Sequence, residues 1–437
     1  MKKADYIVYG EYVLPMDETL GVLKDTALAI SNGKIIEIGA FKEISRKYET
    51  KSLIGGSGRA ILPGLINTHT HAAMVLLRGM ADDLPLKQWL EGHIWPAENK
   101  WLGTEFINDA VELACIEMLK AGITTYNDMY FFEDVAAETT KRLGMRAVLG
   151  AGILDFPTKT TSGAEDCLEK AERFIDKWKE DELITPCVAP HAVYTCSAET
   201  LRKAKAIAIR HNVPVHIHLS ETEWEVYEIK NKYGKTPGML LNEIDFLSER
   251  VLAAHCVWLT DEEIDILAEK NVSVSHCIES NLKLASGIAP VLKMLRAGIK
   301  VTFGTDGAAS NNDLNILGEM STAAKVHKAV SKDPTALEAK TVLLMATRWA
   351  AEALRLQDVG SLEPGKTADI IIINLEKPHL TPLYNIYSHI VYSMRPSDVE
   401  SVMVNGKMVL NDGKLLNADE KEILKKAKNW GERITNG

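Results

Sequence analysis

The chain has 437 residues, 46% of them hydrophobic and 25% charged, with a formal net charge of −10 at pH 7. That length fits a barrel of about 250 residues plus a further unit, and the composition is that of an ordinary globular enzyme. The acidic balance without a basic run argues against a nucleic-acid partner, no apolar run reaches the roughly 18 residues of a membrane span, and the N-terminal MKKADYIVYGEYVLP has no signal-peptide core. The six cysteines (Cys115, Cys167, Cys187, Cys196, Cys256 and Cys277) show no paired short spacing and read as free buried thiols of a cytoplasmic protein.

From the N-terminus, residues 1–58 carry the strand-like ALAISNGKIIEIG. Asn-Gly-Lys at 32–34 returns at 405–407, each time between apolar runs, and Asn-Gly favours a hairpin turn because both residues tolerate positive φ. The middle of the chain alternates short β-branched runs with helical stretches, which is the mark of a parallel α/β fold. Strands are predicted at ILPGLINTH (61–69), GITTYND (122–128), RAVLGAGI (146–153), TPCVAPH (185–191), VPVHIHLSE (213–221), RVLAAHC (250–256), VSVSHC (272–277) and KVTFGTD (300–306). Helices are predicted between them, among others over 197–211 and 261–270, the latter with Asp261 and Glu262 in its first turn. Eight strands suit a closed (β/α)8 barrel over 59–359. GSLEPGK (360–366) reads as a linker, and ADIIIIN and VESVMVNGKMVLNDGK beyond it read as strands. Residues 1–58 and 360–437 are therefore expected to form one small β-sandwich-like domain of antiparallel strands.

Polar residues gather where these strands end, the face on which barrels carry their active sites. His69 and His71 lie two apart, so strand period directs both imidazoles the same way, as two ligands of one metal require. His216 and His218 repeat the spacing, and periodicity alone does not separate them. His255, His276 and Thr305-Asp306-Gly307 end the next three strands. Imidazoles with a carboxylate suit Zn²⁺ or another borderline divalent ion. A single strand histidine is usually structural; histidine or aspartate at five strand ends of one face is not explained that way. His211, on a helix end, reads as solvated; His93 could line a pocket or pack; the tryptophans of EGHIWPAENKW read as core.

PGLINTHTH, VHIHLSE, AAHC and FGTDGAASNN resemble the amidohydrolase superfamily, and LLRGMADDLPLKQWL followed by PAE resembles its 5-methylthioadenosine/S-adenosylhomocysteine deaminase group, over essentially the whole chain. The resemblance implies one divalent metal per subunit, Zn²⁺ with Fe²⁺ or Mn²⁺ as alternatives, held by His69, His71, His218 and Asp306. It also places Glu98, His191, Glu221 and His255 around substrate and water. A change at His216 is then expected to leave the metal in place. Mechanistically, a metal lowers the pKa of water to about 7. Asp306 can take its second proton, His255 can hydrogen-bond the attacking water, and Glu221 can protonate the purine if burial raises its pKa. Glu98 would bind ribose and His191 the purine or ribose.

The expected reaction is deamination of 5′-methylthioadenosine, S-adenosylhomocysteine, 5′-deoxyadenosine or adenosine to the inosine analogue and ammonia. The partner is thus a small nucleoside, and a homodimer or homotetramer is the expected assembly. The alternative is another mononuclear amidohydrolase, acting on guanine, cytosine or a chlorinated triazine. The fourth strand ends in Ala189-Pro190-His191, without the lysine that many two-metal amidohydrolases carboxylate. The zinc-deaminase signature with Pro-Cys-x-x-Cys is absent as well. Where relatives that favour S-adenosylhomocysteine carry arginine after the third strand, this chain reads LGAGILDFPTKTTSGAEDC, with Lys159 its only cation. That points to a smaller 5′ group, since lysine replaces a bidentate arginine poorly.

Overall fold

The computed structural model describes residues 1–436. Its centre is a ring of parallel strands: Leu65–Thr70, Ile123–Tyr130, Arg146–Ile153, the two pieces Ile184–Pro186 and Ala189–Pro190, Val215–Leu219, Val251–His255, Ser273–His276 and Val301–Phe303. The ladders leave two arcs, joined through the interrupted fourth strand, where His216 N donates to Val188 O (2.9 Å) and His218 N to His191 O (3.0 Å). On the other side Asp306 N donates to His69 O (2.9 Å) and closes the ring. This is the expected (β/α)8 barrel. Its interior carries hydroxyls, with Thr68 Oγ1 2.7 Å from Ser275 Oγ and 2.8 Å from Thr302 Oγ1.

The helices between the strands form where capping and apolar spacing agree. Ala198–His211 starts after the N-cap Ser197, whose hydroxyl accepts from Thr200 N, and Asp261–Glu269 starts in a capping box made by Thr260 and Glu263. The predicted 197–211 and 261–270 thus differ by a residue at one end.

Both chain ends enter one eight-stranded sheet, in the order Lys414–Leu415, Lys407–Asn411, Val399–Val404, Ile370–Asn374, Leu53–Pro63, Tyr6–Val13, Leu23–Ser31 and Lys34–Ala40. It is a single mixed sheet rather than stacked antiparallel ones, because Tyr6–Val13 runs parallel to Leu53–Pro63. It curls until Lys34 pairs with Thr367, enclosing Val8, Leu28, Ile30, Ile35, Ile61, Ile370, Ile372 and Met403. The two Asn-Gly turns both take positive φ and meet there: a Cβ on Gly406 would lie 2.3 Å from Gly33 Cα.

The division expected at residue 58 falls inside Leu53–Pro63, so ILP belongs to this sheet and the barrel begins at Leu65. Gly64 joins the two; a Cβ there would stand 2.0 Å from Thr124 Oγ1, so only glycine lets the strands pass so closely. The last helix, Glu420–Asn436, packs on the barrel helix Thr104–Lys120, with Trp430 Nε1 donating to Asp109 Oδ2 at 3.0 Å. A buried ion pair, Arg146 Nε to Asp369 Oδ2 at 2.8 Å, ties the third barrel strand to the sheet. All six cysteines are buried and unpaired. Among the described residues no helix is long and apolar enough to cross a membrane.

Candidate active site

The first and fifth barrel strands bring His69, His71 and His218 together, each offering a ring nitrogen within 4.8 Å of the others. Their outer nitrogens are committed. His71 Nδ1 donates to Met129 O (2.8 Å) and His218 Nδ1 to His191 O (2.7 Å). His69 Nδ1 lies 2.7 Å from His216 Nε2. The three Nε2 atoms converge on one point. His71 Nε2 and His218 Nε2 stand 3.2 Å apart, and His69 Nε2 is buried with no hydrogen-bond partner. Nitrogens crowd together in this way around a shared cation, a proton or a metal ion.

Asp306 supplies the carboxylate, its Oδ1 3.4 Å from His69 Nε2 and 3.3 Å from His71 Nε2. Its other oxygen accepts from Ser280 Oγ and Ser310 Oγ, each at 2.7 Å, so the carboxylate is held in one rotamer. Burial opposes charge on both sides here, but the pair wins. Burial works against a cationic His71, yet the facing Asp306 pushes that ring's pKa up to about 9, so positive charge between the two is favoured, whether a proton or a metal ion that displaces it. Burial also drives His218 well below the usual imidazole range, which keeps it a neutral donor. The donor set therefore fits a divalent ion.

Glu221 follows the fifth strand. Its aim is set by Glu225 on the next helix, Glu223–Tyr233, whose carboxylate accepts from Ser220 N (3.1 Å) and Glu221 N (2.8 Å). Burial, then the nearby charge of Asp306, raises the Glu221 pKa well above the carboxylate range. Its Oε1 is buried without a partner, and its Oε2 is 3.8 Å from His255 Nε2. Asn281 Nδ2 donates to His255 Nδ1 (3.0 Å), so His255 faces the site with its proton on Nε2; burial lowers its pKa to about 3 and keeps it neutral. Ser220, His255, Cys256 and Asp306 all have positive φ (49°, 71°, 53° and 61°). Such strain, about 1–3 kcal/mol per residue, collects where geometry serves a site.

Above these groups opens a cleft of about 720 Å³, mouth included. His71, His218, Glu221, His255 and Asp306 form its floor, and Glu98 and His191 stand in its wall. Glu98 lies on Trp95–Trp101 and accepts from Tyr130 OH at 2.5 Å; burial raises its pKa to about 7. His191 Nδ1 is 2.9 Å from Thr195 Oγ1, and burial holds this ring neutral with a pKa of about 3. Trp89, Trp95, Phe131 and Leu154 make the rest of the wall apolar.

Of the candidates, His71, Glu98, His191, His218, Glu221, His255 and Asp306 line one cleft, and His69 lies fully buried beneath it. Trp95 was expected in the core and lines the cleft instead, because a helix after the first strand folds back over the barrel mouth. His93 does neither thing expected of it and is exposed. His211 is not simply solvated but pairs with Glu172 at 2.8 Å. His276 turns away from the cleft and meets His327, Nε2 to Nε2, at 3.1 Å. Tyr130, Glu225, Asn281, Ser280 and Ser310 had no signal of their own in the sequence; each is defined by a partner distant in the chain or across a turn.

The chain is similar to a 5-methylthioadenosine/S-adenosylhomocysteine deaminase of Thermodesulfovibrio yellowstonii, 56% identical over 99% of each chain. It is similar to a 5′-deoxyadenosine deaminase of Methanosarcina barkeri, 46% identical over 99% of this chain and 98% of the relative. Among solved structures it matches an adenosine deaminase from Xanthomonas campestris with bound zinc, at a TM-score of 0.97 and 40% identity over 100% of both chains. Residues 60–409 match the model of the amidohydrolase family, from the end of the sheet strand Leu53–Pro63 through the whole barrel. With its histidines and aspartate gathered at one end of that barrel, the chain belongs to the amidohydrolase family.

Proposed function

We propose that this chain hydrolyses the 6-amino group of 5′-modified adenosines: water adds at C6, ammonia leaves, and the inosine analogue is released. The observation that carries the reading is one cleft holding three convergent imidazole Nε2 atoms with Asp306, a buried Glu221 of raised pKa beside them, and Glu98 in the wall. The relatives' names refer to the same substrates. An ammonia-release screen over adenosine analogues, with metal content measured in parallel, tests it.

A divalent cation held by His69, His71, His218 and Asp306, zinc in our reading with Fe²⁺ or Mn²⁺ as alternatives, would lower the pKa of a water to about 7 and so supply the nucleophile. Glu221 starts protonated and gives its proton to a purine ring nitrogen as C6 becomes tetrahedral, which relieves charge on the ring. His255, its Nε2–H turned inward, donates to the oxygen that adds to C6. Asp306 takes the remaining proton through Oδ1, the oxygen not committed to Ser280 and Ser310, and passes it to the amino group, which leaves as ammonia; the proton given up when the water is activated restores Glu221. His191 contacts the purine or ribose from the wall.

Guanine, cytosine and triazine hydrolases would share the metal site. Glu98 favours a nucleoside, because a free base has no diol for a buried carboxylate to accept from. Tyr130 occupies Oε1 and leaves Oε2 for that purpose. Glu98→Gln is expected mainly to raise KM, with kcat little changed, since its partner is remote from the reacting carbon. Tyr130→Phe should raise KM about tenfold, as a hydrogen bond to a charged group is worth about 1.5–3 kcal/mol. Steady-state kinetics on 5′-deoxyadenosine separates the two constants; a fall in kcat with unchanged KM would place Glu98 at the chemistry.

For the 5′ group, kcat/KM on 5′-methylthioadenosine or 5′-deoxyadenosine is expected to equal or exceed that on S-adenosylhomocysteine. Among the described residues no lysine or arginine lines the cleft. A homocysteine carboxylate would lose water there without a guanidinium to receive it. A methylthio group brings only apolar surface, worth about 25 cal/mol per Å². Lys159 stands in an adjoining groove, its ammonium donating to Asn99 O at 2.6 Å. A tenfold preference for S-adenosylhomocysteine, about 1.4 kcal/mol, would mean that another cation meets the tail, either Lys159 released from Asn99 or an arginine of a neighbouring subunit.

A further inference from the structure

The three imidazoles of the site are each held from behind, but not in the same way. His71 and His218 donate their Nδ1 protons to backbone carbonyls, Met129 O and His191 O, which no substitution removes. His69 alone is held by a side chain, with Nδ1 2.7 Å from His216 Nε2. Both rings are buried, His69 fully and His216 to within 1%. Two proton placements satisfy this contact. With the proton on His69 Nδ1, His216 accepts and His69 Nε2 is a free lone pair. With the proton on His216 Nε2, His69 must carry its own proton on Nε2, facing His71 and His218, and cannot bind a metal. His216 Nδ1 is buried without a partner in either case.

We infer that His216 is the positioning residue of the metal site: its Nε2 accepts from His69 Nδ1 and so fixes the one tautomer and ring angle in which His69 binds a divalent cation. This rests on the reading of His69 as a ligand. It also revises the expectation that position 216 is indifferent to the metal. His216 fits a role in affinity and not in stoichiometry, because its own Nε2 is spent on His69. Partners of this kind set ligand orientation and basicity, and their loss costs about 10–100-fold in metal affinity.

The test is zinc affinity by competition with a chromogenic chelator, on the full chain stripped of metal and reloaded. Three substitutions differ in what they offer His69. His216→Gln places an amide oxygen close to where Nε2 was and should hold the zinc Kd within about threefold. His216→Leu offers no acceptor and should weaken it about 10–100-fold at unchanged stoichiometry. His216→Asn keeps a polar group too short to reach and should behave like His216→Leu, which covers the case of a leucine variant that fails to fold. Nitrogen-15 NMR of the zinc-loaded wild type should show His69 protonated at Nδ1. Wild-type affinity in both His216→Leu and His216→Asn overturns the inference. So does equal weakening in all three, which would mean that the position responds only to shape. A wild-type chain that takes up no divalent ion overturns the ligand reading beneath it, a result separable from either of these.

Discussion

His218→Ala is expected to abolish metal binding and turnover together, while the wild-type chain carries one divalent ion. The two losses share one cause. His218 contributes one of the three nitrogens of the His69, His71 and His218 cluster, and its Nε2 points at His71 Nε2 across 3.2 Å. The ring is also tied to His191 O by its Nδ1 proton, which holds it in the orientation a ligand needs. Stoichiometry follows from the same geometry. Among the described residues two clusters of metal-capable side chains occur, His69 with His71 and His218, and His69 with His255 and Cys277. Both need His69, whose Nδ1 is already engaged by His216, so its single Nε2 can serve one ion only. Metal analysis of wild type and variant, with turnover on 5′-deoxyadenosine, checks this. Two ions per wild-type chain, or an alanine variant that keeps its ion, would refute the assignment.

Most of the barrel could be read from the chain because its signals are local. Strand period put His69 with His71 and His216 with His218 on common faces, and the barrel's topology put the strand ends on one rim. Periodicity could not say which ring of the second pair meets the metal. In space His218 faces His71 while His216 backs His69, a difference made across the barrel by two strands that do not pair with each other. The groups that aim the site were hidden for a related reason. Asn281 holds His255 across 26 residues and Tyr130 holds Glu98 across 32, and neither spacing has a period to betray it. The terminal sheet shows the same limit. Asn-Gly marks a hairpin, so antiparallel pairing was legible, but the parallel contact of Tyr6–Val13 with Leu53–Pro63 leaves no turn to find. Trp95 was read as core because an aromatic side chain predicts burial without saying whether protein or substrate covers it.

Glu221→Gln should keep its metal and lose at least about 10² in kcat, the usual contribution of a general acid. The substitution is unusually clean at this position. Burial and the charge of Asp306 hold the Glu221 carboxyl protonated in the resting enzyme, so the change to an amide removes no charge and little volume. Glu225 accepts from the Glu221 backbone and not from its side chain, so the turn that aims the residue survives. What the amide cannot do is surrender a proton to the purine, which keeps it as the ring N–H of the inosine product. Substrate affinity and thermal stability should therefore stay near wild type while kcat falls. The pH profile adds an independent readout. A group that must be protonated to act, with its pKa raised above the carboxylate range, costs the wild type activity as pH rises through that value. The variant should lack that limb and show only a low, flatter rate. Near-normal turnover in Glu221→Gln would transfer the proton to another donor. His255, whose Nε2 is 3.8 Å from the Glu221 carboxylate, is the candidate already in place.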